Sequence, residues 1–259
     1  MNDLGARRRA IRHLLSERDP ADAMAAYYAF YHPDDVTTIV TLPEHVSGPS
    51  VKADAFVTLT RSGIDLFRPL VTMRLPADSG GLRLDDSVEL LQGTFGPGQP
   101  VIMRVPAQYR PLIAAVFDIQ SEERMRVLLV DAARFTPILN VMVAGMPDRH
   151  GLYRYIHYSY EKEKVGVAAT ASLNWQSPYF AEIAVTTQPE FRRQGFGRSV
   201  VAALCRHVLE NGRTPLYVVS EENQASAHLA ESLGFEDSGT RELLLQATLN
   251  QDETNPQQA

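Results

Sequence analysis

The chain reads as an α/β protein, and three features of its sequence say so. Residues 181–197, AEIAVTTQPEFRRQGFG, pass from alternating, mostly apolar residues through Pro189-Glu190 into a glycine-rich turn. A helix pattern follows at once, with Val201, Leu204, Cys205 and Val208 at i, i+3, i+4 and i+7. A further strand pattern at 216–219 and a helix pattern over 225–233 repeat the alternation, and residues 36–130 mix strand and helix patterns in the same way.

Taken in order, residues 6–31 are helical in pattern, with Ala10, Ile11 and Leu14 on one face. Asp19-Pro20 breaks that pattern, and Asp19 is placed to cap a second helix over 21–28. Strands are expected at 36–42, 55–60 and 70–75, with loops at 47–50 and 76–81. A short helix over 88–95, closed by Gly96-Pro97-Gly98, leads to a strand at 101–105, a helix at 108–117 and a strand at 124–130. From Asp131 a helix is expected to about 142, with Pro137 as an interruption. Three strands follow at 151–160, 165–173 and 179–186, joined by turns at 161–164 and 174–178. Residues 251–259 hold no apolar residue before Ala259 and are expected to be disordered.

Composition narrows the function classes. A length of 259 residues suits one large domain or two ordinary ones. A net charge of −6 with no long basic block argues against a nucleic-acid partner. No run of eighteen apolar residues exists to span a membrane, and Arg7-Arg8-Arg9 precedes no apolar segment of the kind a signal peptide needs. A cytoplasmic protein is therefore expected. The single Cys205 excludes an internal disulfide and lies inside a helix pattern, where it reads as core. The histidines are scattered, with no H-E-x-x-H and no Cys/His cluster, so no metal is expected. No G-x-S-x-G suggests a hydrolase.

The turn at 192–197 is the chemically informative part. A glycine-rich turn entering a helix leaves backbone N–H groups unpaired at the positive end of the helix dipole, which is a site for a phosphate-like anion. Gly195 and Gly197 lack Cβ and would admit a ligand close to the main chain. Arg192, Arg193 and Arg198 add positive charge, and three arginines suit a pyrophosphate better than a single phosphate. Neither G-x-G-x-x-G nor G-x-x-x-x-G-K-[ST] is present.

The order strand, R-x-x-G-x-G, helix, strand, Asn223, short helix, Leu233-Gly234-Phe235 resembles the GNAT N-acetyltransferase superfamily over residues 179–240. P-E-F-R at 189–192 and S-L-G-F at 232–235 are most similar to its glycine N-acyltransferase-like branch. The resemblance implies a GNAT fold, an α+β arrangement with a mixed, mostly antiparallel sheet flanked by helices, preceded by a second α/β domain. Domains are then expected at 1–121, 122–248 for the catalytic domain, and 249–259 for the tail. The first is either a degenerate GNAT-like copy or an unrelated lid or dimerisation domain. It holds no R-x-x-G-x-G, and its nearest glycine-rich stretch, Ser79-Gly80-Gly81, is expected outside any strand-to-helix turn with arginines.

The same resemblance implies transfer of an acetyl or short acyl group from acyl-CoA to a primary amine, by direct attack in a ternary complex. Acetyl-CoA is the expected co-substrate and a small-molecule amine the expected partner, with a homodimer left open. Ile183, Ala184, Val185, Arg192, Arg193, Gln194, Gly195, Phe196, Gly197, Arg198, Asn223 and Ser226 are the cofactor-binding candidates. Main-chain groups of Ile183 and Val185 would pair with the pantetheine, and the Val185 N–H would face the thioester carbonyl. Ala184 should point to the opposite sheet face. Glu182, just before that segment, is the general-base candidate, with an exposed strand carboxylate as the plainer reading. Asn223 is either a CoA contact or a helix N-cap. The family's usual general acid, a Tyr, is replaced here by Ala230, leaving Ser226, Tyr217 and His228 as candidate proton donors, none of which stands out and each of which has a structural role as the plainer reading. His157, in a Tyr-rich strand, reads as packing. The competing expectation is a catalytically idle acyl-CoA-binding or sensing module, favoured by the missing Tyr.

Overall fold

Apolar periodicity places most elements, and polar side chains at their ends set where they start. The computed structural model describes residues 3–46, 48, 51–63, 65–137, 141–149, 151–161 and 164–250. The chain divides into two compact units, the first made of residues 1–124 with 241–259 and the second of 125–240.

In the first unit, α1 (Leu4–Ile11) starts where the Asp3 carboxylate accepts from the Ala6 N–H at 3.0 Å. Asp19 does not cap a helix. Its Oδ1 accepts from the Ala21 N–H at 2.9 Å, closing a local turn, and α2 (Ala23–Ala26) begins later and runs into a π-helical turn over Tyr27–Tyr31. Strands β1 (Thr37–Leu42), β2 (Ala55–Thr60) and β3 (Leu70–Arg74) form an antiparallel meander. The hairpin β4 (Ala77–Asp78) and β5 (Gly81–Leu82) leads into α3 (Leu84–Thr94). Ser79 and Gly80 form the tip of this hairpin and Gly81 opens β5, so the stretch is a strand-to-strand turn and lies ahead of the step from β5 into α3. α3 starts at Leu84 rather than at 88, because Asp85 and Asp86 suit a first helical turn as well as a loop.

β6 (Pro100–Pro106) runs parallel to β3 and is followed by α4 (Arg110–Val116) and β7 (Phe117–Val130). β7 begins well before the expected 124, since residues 118–124, exposed apart from the half-buried Ile119, carry no apolar alternation to signal a strand. Residues 242–248 pair antiparallel with β6. Val57, Val71, Met73 and Met103 face α3 and α4 in one core; Ile39 and Phe56 face α1 and α2 in another.

The second unit holds β8 (Ala144–Pro147), β9 (Tyr153–Glu161), β10 (Lys164–Gln176), β11 (Phe180–Thr187), α5 (Phe196–Glu210), β12 (Thr214–Ser220), α6 (Gln224–Glu231) and the start of β13 (Phe235–Leu249). Neighbours run β7-β12-β11-β10-β9-β8, antiparallel throughout except for the parallel pair β11 and β12. α5 and α6 bury Val201, Leu204, Cys205, Val208, Ala227 and Ala230 against one sheet face.

The helix expected from Asp131 does not form over 131–137. Asp131 accepts from the Ala133 N–H through its carboxylate at 2.9 Å and from the Arg134 and Phe135 N–H groups through its carbonyl, which makes one turn before Pro137. Residues 138–140 lie outside the described residues, and β8 begins at Ala144, past the expected helix end and in a stretch given no element. Turn residues 162 and 163, and the whole expected tail 251–259, also lie outside them. The turn expected at 174–178 is shorter, because β10 continues to Gln176 through a bulge. Residues 241–248, expected in the second domain, and Leu249, expected in the tail, belong to the first unit, where Leu243, Leu245, Ala247 and Leu249 are buried in its core.

Candidate acyl-transfer site

β11 and β12 part where both still continue. They pair from Phe180/Thr214 to Ile183/Tyr217, yet β11 runs on to Thr187 and β12 to Ser220. On its other edge β11 stays paired with β10 out to Thr187. Beyond Ile183, one edge of the β11 backbone is therefore without a strand partner among the described residues. Side chains alternate about this fork. Ala181, Ile183 and Val185 face the helices, with Tyr217. Glu182, Ala184 and Thr186 face the opposite side, where among the described residues the second unit places no α-helix.

The chain leaves β11 through a 3-10 turn, Pro189–Phe191, and reaches α5 by two left-handed residues, Arg193 at φ 61° and Gly195 at φ 82°. Such residues curl successive N–H groups toward one point. Among the described residues, the N–H groups of Arg193, Gln194, Gly195, Phe196, Gly197 and Arg198 have no hydrogen-bond partner. The first turn of α5 carries no acidic residue. Arg193 extends into solvent, Arg192 is exposed with its Nε 3.3 Å from the Thr187 carbonyl, and Arg198 is half-buried with a buried Nε that has no partner among the described residues. The Gln194 side chain instead donates to the Glu190 carbonyl at 3.2 Å. Phe196 packs against Phe191 and the His157 ring.

The two glycines differ in what the protein itself asks of them. Gly195 takes a positive φ, and Gly197 makes room for packing. A Cβ at Gly197 would lie 2.7 Å from Thr187 Oγ1 and 3.2 Å from Leu229 Cδ1, so its absence serves the close approach of α5 to β11 and α6.

Glu182 is no exposed strand carboxylate; it is 4% exposed. Its Oε1 accepts from Asn174 Nδ2 at 2.7 Å and its Oε2 from the Trp175 indole N–H at 3.0 Å. Asn174 reaches it because β10 bulges there: Leu173 pairs with Ile183 and Trp175 with Glu182, leaving Asn174 as the extra residue. Farther along the same face lie Ala184, Ser172, Thr170 and Thr186, all small and half-buried or exposed. A buried carboxylate thus borders an open, shallow floor.

On the helix side, Asn223 caps α6, its side chain accepting from the Ser226 N–H at 3.1 Å. Tyr217 and Ser226, two of the three donor candidates, hydrogen-bond each other at 2.7 Å. Burial raises the Tyr217 hydroxyl above its ordinary value of 10.0, an effect the Ser226 bond opposes. Tyr217 is the last β12 residue paired with β11, so its ring stands at the fork. His228 is exposed on α6, and Ala230 is fully buried where the family's Tyr was expected. His157 Nδ1 bonds the Met142 carbonyl at 2.9 Å, which accounts for it as a packed residue. Cys205 is buried, and desolvation pushes its thiol far up, so it is no nucleophile. Sequence reasoning missed Asn174 and Trp175: both sit in what looked like a turn, and a bulge has no periodicity.

Residues 161–244 match the family model described as FR47, FR47-like protein. Among solved structures the chain is similar to a Drosophila protein (13% identity, TM-score 0.60, covering 86% of this chain and 85% of that one). It is also similar to a tandem GNAT protein from the clavulanic acid biosynthesis pathway (13%, TM-score 0.55, 95% and 93%). An acetyltransferase of the GNAT family from Colwellia psychrerythraea gives 10%, TM-score 0.53, 85% and 89%. No curated protein sequence matches. At these identities the likeness establishes the fold: a mixed, mostly antiparallel GNAT sheet flanked by helices, with a tandem neighbour spanning both units.

Proposed function

From a chain with the GNAT acetyltransferase fold, we propose an N-acyltransferase that moves an acetyl or short acyl group from acyl-CoA to a primary amine by direct attack in a ternary complex. The observation that carries this reading is the fork between β11 and β12 ending at the run of unpaired N–H groups over 193–198. Those groups and the Arg192, Arg193 and Arg198 guanidiniums bind the diphosphate. The pantetheine lies in the fork against the main chain of Ile183 and Val185, with Ala184 turned to the acceptor side. The Val185 N–H stabilises the tetrahedral oxygen, a contribution of about 3 kcal/mol for such a donor.

The amine approaches on the Glu182 face. An amine of pKa about 10.4 is neutral about once in a few thousand molecules at pH 7, a deficit of about 4.6 kcal/mol. A positioned base contributes about 10² to 10⁴ in rate, which is the scale needed. Glu182 takes the proton as the N–C bond forms and the C–S bond breaks. The electron pair leaves on sulfur, and Tyr217, kept protonated by burial and standing at the fork, gives the thiolate its proton, with Ser226 holding the hydroxyl. Asn223 shapes the α6 end of the cofactor site through its cap.

P-E-F-R and S-L-G-F favour the glycine N-acyltransferase-like branch. The first unit supports the degenerate-copy reading: it too runs antiparallel meander, helix, parallel strand, helix. Its helix α3, however, opens with Asp85 and Asp86, which repel a phosphate where the acid-free first turn of α5 attracts one. Ala230 favours the second reading, an acyl-CoA-binding module without turnover.

Calorimetry with acetyl-CoA, and thiol release with glycine, a second amino acid, spermidine, an aminoglycoside and a peptide with a free N-terminus, decide between them. The expected result is binding, turnover with at least one amine, and about tenfold weaker acetyl-CoA binding in Arg193→Ala, near 1.4 kcal/mol. Binding without turnover supports the module, and no heat with acetyl-CoA sinks both.

A further inference from the structure

We infer that Asn174 is the acceptor-side residue of this site: through Nδ2 it positions the Glu182 carboxylate, and through Oδ1 it contacts an N–H of the incoming primary amine. The inference rests on the acyltransferase reading above and goes beyond it in naming how the amine is held.

Three observations carry it. The 2.7 Å bond from Asn174 Nδ2 to Glu182 Oε1 settles which way the amide faces, because a carboxylate only accepts. Oδ1, on the same planar group, is then an acceptor pointed elsewhere, and it has no partner among the described residues. Asn174 is exposed while Glu182 is 4% exposed, so the amide is the part of the pair that solvent, or a substrate, meets first. The bulge explains why such a residue exists here. Successive strand residues alternate faces, so without the bulge only one of Asn174 and Trp175 would point to the Glu182 face, whereas the extra residue lets both bond its carboxylate.

The chemistry matches a primary amine. A neutral primary amine carries two N–H donors and one lone pair; Glu182 Oε1 and Asn174 Oδ1 accept from the two donors, which turns the lone pair to the thioester. One proton passes to Glu182 as the N–C bond forms and the C–S bond breaks, while the N–H held by Oδ1 stays on nitrogen in the amide product. The floor of Ala184, Ser172, Thr170 and Thr186 leaves room for the substituent.

The test uses the full chain, acetyl-CoA and the best amine of the panel above. Asn174→Ala is expected to lower kcat about tenfold and raise KM for the amine severalfold, with KM for acetyl-CoA unchanged. In a Glu182→Gln background, Asn174→Ala should lower kcat no further than twofold, since the amide acts on rate through that carboxylate. An equal fall in both backgrounds, or no fall in either, overturns the inference. A second readout does not depend on turnover. Trp175 is the sole tryptophan, and its indole N–H bonds the same carboxylate, so Asn174→Ala should shift its emission at unchanged melting temperature. If the wild type turns over no amine, the acyltransferase reading fails, and unchanged Trp175 emission in Asn174→Ala overturns the positioning as well; a shifted emission upholds it.

Discussion

Tyr217, Gly197 and His32 show how single residues take their roles from surroundings. Tyr217→Phe keeps the ring that fills the fork and removes only the hydroxyl bonded to Ser226. It should cut kcat about 10- to 100-fold, within the usual range for a lost proton donor, and leave KM for acetyl-CoA unchanged in steady-state assays. Gly197→Ala would push a methyl to 2.7 Å from Thr187 Oγ1 and should cost about 1 to 3 kcal/mol in urea denaturation.

His32 is the pH-sensitive residue of the first unit. Its Nδ1 lies 2.9 Å from Thr37 Oγ1, whose own proton goes to the Pro33 carbonyl, so the His32 Nδ1–H donates to Thr37. Burial first, then the Arg8 charge, hold it below its ordinary 6.5, against a smaller opposing effect of Asp35. The unfolded chain therefore binds the extra proton first, and stability present above pH 6.5 is lost as the pH falls below it. His32→Gln should lose less stability between pH 7 and 5 than the wild type, as read by denaturant midpoints.

At the scale of elements, the connection from β11 to α5 is where backbone strain coincides with the proposed diphosphate site. Arg193 holds φ 61°, which costs a residue with a Cβ about 1 to 2 kcal/mol, and glycine nothing. Arg193→Gly should therefore be more stable than Arg193→Ala by about 1 kcal/mol in urea, while both weaken acetyl-CoA binding alike by calorimetry. Much of this element was legible beforehand, since R-x-x-G-x-G between an alternating strand and a helix at i, i+3, i+4, i+7 is local information. The bulge at Asn174 was not, because a bulge is defined by the partner strand's register. Nor was the failure of the helix after Asp131, where a strong Asx turn and Pro137 leave too few residues to repay nucleation.

For the whole molecule, the division into units decides what each strand stabilises. Arg241–Leu249 pairs with β6 and buries Leu243, Leu245, Ala247 and Leu249 in the first unit. A chain ending at Thr240 should expose that core: increased binding of a hydrophobic dye and a lower melting temperature are expected, and a native-like melt would contradict the assignment. Sequence position alone attaches these residues to the second domain, next to α6. By itself the sequence determined the α/β class, most strand and helix cores, the glycine-rich turn that enters α5 and the candidate base, because each is written in residues adjacent along the chain. Only the tertiary structure decided that β11 and β12 separate after Ile183 and Tyr217, that Glu182 is buried beneath Asn174, that Gly197 is a packing residue, and which core the last strand joins. Those depend on pairing between segments distant in sequence, and the free energy of such pairing lies in the meeting of two surfaces rather than in either one.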